Sequence, residues 1–316
     1  VTVTDENTVV GDKAAIRAKN FKLKLNAETA SLTADIAKTK AEADAWYLDG
    51  HTPKPTINVD EAQLNAIKAA NNVGVMDLTF TVADDAKATR IVKVTIYDDN
   101  TTISPDESKF LHAKDFTITD EEAKALTEAA AKNKAGVKAW NADGTDLTPN
   151  VAVDPVQLAK IKEGVAGVYP LKFTVDGLER TVNVNVKDEN TICEGNVCIA
   201  ANSFTHNLTD VAQLDESEAI KKAGARAWYT DSVDKKPTLK VNQQELANIQ
   251  QTNVAKVFPL TFTTVENPHA SKQVDVTVTD NSFELTANNF TIDLATAKNY
   301  TNTKLIEDTK AKAVRK

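Results

Sequence analysis

The chain has 316 residues, with 37 Lys or Arg against 45 Asp or Glu, so its formal net charge at pH 7 is −8. Phosphate binding needs concentrated positive charge, and none is clustered here, so we expect no nucleic-acid partner. No apolar run is long enough to span a bilayer, and the aromatic fraction of 6% is typical of small two-sheet domains.

The sequence repeats itself with a period of about 90 residues. A run of alternating Val or Ile and polar residues that ends in acids and Asn occurs at 1–7, 94–100, 184–190 and 276–281. Its Asn lies at 7, 100, 190 and 281, so successive spacings are 93, 90 and 91 residues. This period is too long for a helical solenoid and fits one small domain per copy. We therefore predict the tail of a preceding repeat at 1–7, three repeats at 8–100, 101–190 and 191–281, and a truncated repeat at 282–316, as in an excerpt from a longer protein.

The second repeat shows the predicted elements most clearly. Thr119 and Glu122 form a Thr-x-x-Glu capping box, and the residues that follow favour one helix over 121–134. Gly136 ends this helix, and an extended segment then leads to Trp140. A tight turn at 143–144 precedes a short strand at 151–153.

A second, shorter helix is predicted at the same place in all three repeats. Its N-cap residue is Asp60, Asp154 or Asn242, and in each copy a Leu and an Ile at i and i+3 follow on one face. That shared face predicts burial against the sheet.

Two alternating strands close each repeat, at 171–175 and 182–186 in the second copy. Apolar residues recur with period two, so each strand buries one face. We therefore predict a mainly β fold with helical insertions, namely tandem Ig-like β-sandwich domains in an elongated array.

Residues 167–177 and 181–188 resemble the last two strands of bacterial Ig-like repeats. Such repeats occur in cell-wall-anchored surface proteins of Gram-positive bacteria, including internalin-type and biofilm-associated adhesins. The resemblance implies a non-enzymatic, extracellular stalk or adhesion region that is attached to the cell wall outside this fragment. Two alternatives to this stalk function stay open: the repeats themselves bind a host or matrix protein or glycan, or they build a surface-layer lattice.

Acidic residues lie at each predicted junction between repeats. They could ligate Ca²⁺, but calcium wants six to eight oxygens, and each junction supplies only two or three side chains. Loops at 49–50 and 83–85 would have to supply the rest; the alternative is a polar turn that leads from one domain to the next. No other cofactor is expected. The candidate calcium ligands are Asp5, Asn7, Asp98, Asp99, Asn100, Asp188, Glu189, Asn190, Asp280 and Asn281.

Cys193 and Cys198 are the only cysteines. If residues 195–196 form a two-residue hairpin loop, the cysteines face one another across the strands, within reach of a disulfide. This pairing assumes an oxidising, extracytoplasmic setting, and a reduced thiol pair is the alternative.

Trp46, Trp140 and Trp228 occupy one equivalent position. We predict that they fill the space between helix and sheet; an exposed binding platform is the alternative. The four His residues lie at non-equivalent positions, and no motif with a catalytic mechanism stands out, so we expect a protein that is not an enzyme and a fragment that is monomeric.

Overall fold

The computed structural model describes residues 4–315. Contacts within the chain divide it into two compact units. The first comprises residues up to Gly164 together with Tyr169–Val186, and the second comprises Val165–Val168 and the residues from Lys187 onward. The predicted repeat boundaries stay a prediction, and residues 1–3 of the predicted preceding tail lie outside the described residues.

The first predicted repeat folds into two sheets. The elements are β1 (Thr8–Val10), β2 (Ala14–Arg17), β3 (Phe21–Lys24), α1 (Ala34–Lys40), β4 (Asp44–Tyr47), β5 (Ile57–Val59), α2 (Glu61–Lys68), β6 (Gly74–Val82) and β7 (Asp85–Tyr97). One sheet is antiparallel, with strand order β1-β2-β4, and the other has the order β3-β7-β6-β5, in which β3 runs parallel to β7.

The second and third predicted repeats also fold into one three-stranded and one four-stranded sheet each. The second contains β8 (Thr101–Ile103), β9 (Lys109–His112), β10 (Phe116–Thr119), α3 (Asp120–Lys124), α4 (Glu128–Lys134), β11 (Lys138–Asn141), β12 (Ala152–Val153), α5 (Pro155–Ile161), β13 (Gly167–Val175) and β14 (Leu178–Lys187). The third contains β15 (Thr191–Glu194), β16 (Val197–Ala200), β17 (Phe204–Asn207), α6 (Glu216–Lys222), β18 (Arg226–Tyr229), β19 (Leu239–Val241), α7 (Gln243–Gln250), β20 (Val257–Thr264) and β21 (Ser271–Thr279). The strand orders are β8-β9-β11 and β10-β14-β13-β12 in the second repeat, and β15-β16-β18 and β17-β21-β20-β19 in the third.

The C-terminal segment is much smaller than a repeat. Its elements are β22 (Phe283–Thr286), α8 (Leu294–Ala297), α9 (Asn302–Thr309) and β23 (Lys312–Arg315). β22 pairs only with β23 in the part of the chain that the structure describes.

Within residues 4–315, three separate hydrophobic cores are present, and each takes its residues from one predicted repeat. Phe80, Phe173 and Phe262, at equivalent positions of the long central strands, are fully buried in them. Each core combines residues of both sheets and of the helices, so the predicted mainly β fold with helical insertions is confirmed.

The second helix of each repeat begins where the sequence predicts. Asp60 caps α2 by accepting a hydrogen bond from the backbone N–H of Gln63 at 2.9 Å. The Gln63 side chain does not reach back to the cap; its Oε1 accepts from the N–H of Thr79 in β6 at 2.7 Å. Gln157 makes the same contact with Lys172, so a repeated polar side chain ties helix to strand.

The prediction of one helix over 121–134 is wrong. The capping box at Thr119 and Glu122 is present, but the helix that it starts ends at Lys124. Leu126 is buried in the core, and the Thr127 hydroxyl accepts from the N–H of Ala130 at 3.2 Å, which starts α4. A Thr side chain that bonds to nearby backbone favours an N-cap over a helix interior. No helix in residues 4–315 is long and apolar enough to cross a membrane.

Candidate functional site: the joints between repeats

At every junction, an Asp side chain accepts a hydrogen bond from the backbone N–H of the residue two positions later. At the end of β7, Asp98 Oδ1 accepts from the N–H of Asn100 at 3.0 Å and from the Thr101 hydroxyl at 2.8 Å. Asp188 repeats both contacts with the residues two and three positions later, at 3.0 and 2.6 Å. Asp5 does so at 3.0 and 2.8 Å, and Asp280 accepts from the N–H of Ser282 at 2.9 Å. These are Asx turns, in which the side chain replaces a backbone acceptor.

In the first two repeats, an arginine of the last strand donates hydrogen bonds to the Asn of the preceding turn and to a nearby backbone carbonyl. Arg90 on β7 donates to the Ala18 carbonyl at 3.3 Å and to Asn7 Oδ1 at 3.4 Å. Arg180 on β14 makes the equivalent contacts with Ala113 and Asn100, at 3.1 and 3.3 Å. The junction Asn that precedes each of these repeats is therefore bonded to the last strand of the repeat that follows it.

The third repeat braces its turn differently. Lys272 faces Phe262 in the register where Arg90 faces Phe80, so a lysine replaces the planar arginine fork. Asn190 Nδ2 instead donates to Asn202 Oδ1 at 2.7 Å.

Hydrogen bonds and a neighbouring imidazole lower the pKa of Asp98. Partial burial works to raise the pKa of this carboxyl, but hydrogen bonds from Thr101 and Asn100 and the neighbouring His112 outweigh it, so the net pKa is lowered. His112 Nε2 lies 3.3 Å from Asp98 Oδ2, and His112 is itself buried. A depressed folded-state pKa means that this carboxylate contributes stability above the ordinary pKa of 3.8 and loses it as pH falls through the lower folded value.

The remaining candidate calcium ligands are exposed to solvent. Asp99 pairs with Lys24 Nζ at 2.5 Å, and its side chain is 84% exposed. Glu189 and Asn281 are exposed. Of the loop acids invoked to complete a calcium shell, Asp84 accepts from the Tyr47 hydroxyl at 2.6 Å. Within residues 4–315, no group of three or more His, Cys, Asp and Glu side chains could share a metal ion.

In each of the three repeats, an apolar surface that the sequence analysis missed follows the turn at Asp5, Asp98 or Asp188. We call it the head face: three side chains that stand opposite one another across the three-stranded sheet. The register places the middle residue between its two partners in every repeat. The three head faces are Val10–Ala15–Trp46, Ile103–Phe110–Trp140 and Cys193–Cys198–Trp228.

The head face of the second repeat is covered by the residues of the first repeat that lead into β6. We call such a contact between a head face and the preceding repeat a joint. Val73, Phe110 and Trp140 form one buried cluster, with Val75 and Ile103 packed against it. The Phe110 and Trp140 rings stack, with centroids 5.5 Å apart and an interplanar angle of 6°. A groove of about 590 Å³, lined among others by Val73 and Trp140, runs beside the contact.

The second unit contains an equivalent cluster. Ala166 and Val168, which correspond to Val73 and Val75, pack with Cys198 and Trp228. Trp228 is 4% exposed and Trp140 is 5% exposed. The predicted position between helix and sheet is therefore wrong for these two tryptophans: they are buried, but in joint clusters that are separate from the three cores.

The disulfide is part of this joint. Cys193 and Cys198 are bonded, with α-carbons 4.0 Å apart, in the register expected for a hairpin with a loop at 195–196. They occupy the positions of Ile103 and Phe110, so the bridge replaces an apolar pair of the preceding head face.

A sequence signal for the joints does exist. The middle strand of each three-stranded sheet has consecutive buried apolar residues, such as Phe110 with Leu111 and Cys198 with Ile199. Neighbouring strand residues point to opposite faces, so such runs indicate a strand covered on both sides.

No family profile matches the sequence, and no curated protein matches it. Solved structures with some likeness include extracellular cadherin domains 1–4 of protocadherin gamma B7, at 10% identity over 76% of this chain and 71% of that chain, with a TM-score of 0.17. The protocadherin gamma B4 extracellular domain is 11% identical over 93% of this chain and 53% of that chain, with a TM-score of 0.19. An endo-fucoidan hydrolase of glycoside hydrolase family 107 is 9% identical over 73% of this chain and 38% of that chain, with a TM-score of 0.16.

Proposed function

We propose that this chain is a non-enzymatic spacer in an extracellular adhesion protein, in which tandem β-sandwich repeats hold a binding region away from the surface that anchors it. The resemblance of residues 167–177 and 181–188 to bacterial Ig-like repeats supports a cell-wall-attached surface protein of a Gram-positive bacterium, of the stalk or biofilm-adhesin type.

The observation that carries the proposal is the recurrence of one joint. A chain that only needed independent domains could connect them by any polar linker. Here the Asx turn recurs at Asp5, Asp98, Asp188 and Asp280, and a covered head face recurs at Trp140 and Trp228. Repeated joints of one geometry give regular spacing between repeats, which is what a spacer requires.

Cys193 and Cys198 stand at the positions that Ile103 and Phe110 occupy in the second repeat, and this difference supports an extracytoplasmic location. A disulfide that stands in for an apolar pair contributes to the joint only where thiols stay oxidised, as they do outside the cytoplasm.

Small-angle scattering of the whole chain tests the proposal. A compact body of 316 residues has a radius of gyration of about 20 Å. We expect a clearly larger value together with a maximum dimension that corresponds to sandwiches placed end to end. A radius of gyration at the compact value would refute the spacer role.

A further inference from the structure

One stretch of β6 lacks a neighbouring strand on one of its two edges. Within residues 4–315, β5 pairs with residues 80–82 of β6 and no strand pairs with residues 74–79 on that side, whereas β7 pairs with the whole strand. Asp77 faces Lys93 of β7, but the N–H of Lys93 donates to Asn20 Oδ1 at 2.8 Å, on the other side of β7. The two residues are therefore a non-hydrogen-bonded pair, so the backbone N–H and C=O of Asp77 point away from β7.

Thr79 shows which partners this edge bonds to farther along β6. Its N–H donates to Gln63 Oε1 at 2.7 Å, and its carbonyl accepts from the N–H of Asp60 at 3.0 Å. Thr79 lies two positions after Asp77, and alternate residues of a strand direct their backbone groups to the same edge. The helix α2 and its N-cap residue therefore occupy this edge as far as Thr79.

Between Thr79 and the joint, the edge is open. At the joint, the carbonyl of Val73 accepts from Lys138 Nζ at 3.3 Å, which closes that end. Val75 and Asp77 lie in between, where they line a groove, and together they present two N–H donors and two carbonyl acceptors. We call these four backbone groups the open edge. Strand groups of this kind are a template for another extended chain.

The groove follows the open edge on the side where a further strand would lie. It has a volume of about 450 Å³ and is lined by Gln63 and Ala66 of α2 and by Gly144 of the second repeat. Val75 and Gly144 also line the groove of about 590 Å³ at the joint, so the two grooves adjoin. A strand added at the open edge would therefore lie between α2 and the second repeat.

The other two repeats block the same position with proline. Pro170 of β13 and Pro259 of β20 stand where β6 has Asp77, immediately before a shared Leu. Pro259 faces Asp275, whose N–H accordingly donates to Ser203 Oγ at 3.1 Å, on the other side of β21. Proline has no N–H, and proline on an outer edge is a common means of preventing strand pairing. Of the three repeats, the first retains the donor.

Side chains next to the open edge indicate what kind of segment fits. Met76 packs against the core of the first repeat, and the exposed Ala66 of α2 leaves room on that side of the groove, so an apolar side chain fits there. On the opposite face, Lys93 Nζ lies 2.7 Å from Asp77 Oδ1, and this ion pair favours an uncharged polar side chain. The partner is therefore an extended segment in which apolar and uncharged polar residues alternate.

We propose that the open edge binds an extended segment of another protein as an additional strand of the sheet β3-β7-β6-β5. The backbone of the segment bonds to Val75 and Asp77, and its apolar side chains lie against α2. Main-chain hydrogen bonds supply the affinity, and the groove selects the alternating side chains. This inference goes beyond the spacer function: a chain that binds no such segment would refute it, while the spacing of the repeats, which small-angle scattering measures, would be unaffected.

Peptides with altered backbones test the proposal on the whole chain. The probe is acetyl-Thr-Val-Thr-Val-Thr-Val-Thr-amide with a fluorophore on a Gly-Ser tail. Two further peptides are N-methylated, one at every Val and the other at every Thr, so each loses the donors of one edge and keeps those of the other. We expect the unmodified peptide and one methylated peptide to gain fluorescence anisotropy with added protein, and the other methylated peptide to stay unbound. An unmodified peptide that does not bind, or methylated peptides that both bind or both fail, would overturn the proposal.

Two variants assign the binding to the open edge. Asp77→Pro removes one N–H and introduces the residue found at positions 170 and 259, so this variant should fold, which circular dichroism checks. Asp77→Asn is the matched control, because it removes the charge and keeps the N–H. We expect Asp77→Pro to weaken binding of the unmodified peptide about tenfold, as the loss of one hydrogen bond does, and Asp77→Asn to change it less than about twofold. Unaltered binding by Asp77→Pro, or an equal loss in Asp77→Asn, would contradict the proposal.

Hydrogen exchange of the unmodified chain supplies an independent readout. The bound peptide should slow the exchange of the backbone N–H groups of Val75 and Asp77, because both become hydrogen-bonded. The N–H of Thr79 is the internal control, since it already donates to Gln63 and should change little. Exchange at Val75 and Asp77 that is the same with and without bound peptide would place the peptide elsewhere and refute the proposal.

Discussion

Val73→Ala tests whether the joint inside the first unit contributes free energy of unfolding. Val73 is 7% exposed and belongs to the cluster with Phe110 and Trp140, so the substitution removes two buried methyl groups. At about 0.8 kcal/mol for each buried carbon, we expect a loss of about 1.6 kcal/mol. Little cavity cost should be added, because the groove lined by Val73 is already open at this point.

The assay is urea denaturation followed by the fluorescence of Trp140, with Trp46 and Trp228 replaced by Phe. Val73 belongs to the first predicted repeat and Trp140 to the second, so a shift of the Trp140 transition reports coupling across the joint. Val156→Ala is the control and should change the free energy of unfolding by less than about 0.5 kcal/mol, because Val156 is 79% exposed.

A double-mutant cycle with Phe110→Ala completes the test. Residues in contact usually show a coupling free energy of about 0.5–3 kcal/mol, and we expect a value in that range for this pair. If Val73→Ala behaves like the control, or if its effect simply adds to that of Phe110→Ala, the joint does not couple the two repeats and the reasoning fails.

Two further predictions concern the disulfide and calcium. Reduction of the disulfide between Cys193 and Cys198, which are five positions apart, should lower the free energy of unfolding of the second unit by about 2 kcal/mol, as urea denaturation would show. It should also increase the solvent exposure of Trp228, which fluorescence quenching measures, and unchanged quenching would contradict a role of the disulfide in the joint. Addition of about 1 mM Ca²⁺, or of EDTA, should leave the melting temperature unchanged, because Oδ1 of Asp98 and of Asp188 already accepts two hydrogen bonds. A melting temperature that rises by several degrees with Ca²⁺ in calorimetry would show that the junctions bind calcium.

Local patterns predict most of the secondary structure. The helix that follows Asp60 and its counterparts depends on a cap and two apolar residues within eight positions, and strands such as β13 and β14 depend on alternation within one segment. The break between α3 and α4 was missed because helix propensity favours residues 121–134 throughout. The burial of Leu126 in the core is a tertiary effect that propensity does not contain.

The joints could not be derived in the same way. Val73 and Trp140 are 67 positions apart, and no local pattern states that the entry to one repeat's central strand covers the next repeat's sheet. The Asx turns, in contrast, could be predicted from the sequence, because Asp and Asn followed by Thr are a local signal for such a turn. A polar turn was accordingly one of the two alternatives at each junction, beside a calcium site.

The parallel pairing of β3 with β7, and of β17 with β21, bears on how a repeat responds to tension. Each pairing joins a strand near the start of its repeat to the strand at the end, and four residue pairs align in parallel. When a pull along the chain reaches these strands, it slides one past the other and strains all their hydrogen bonds together, instead of opening them one after another as in a zipper. A repeat connected in this way resists shear between its two ends, as the spacer role proposed above would require.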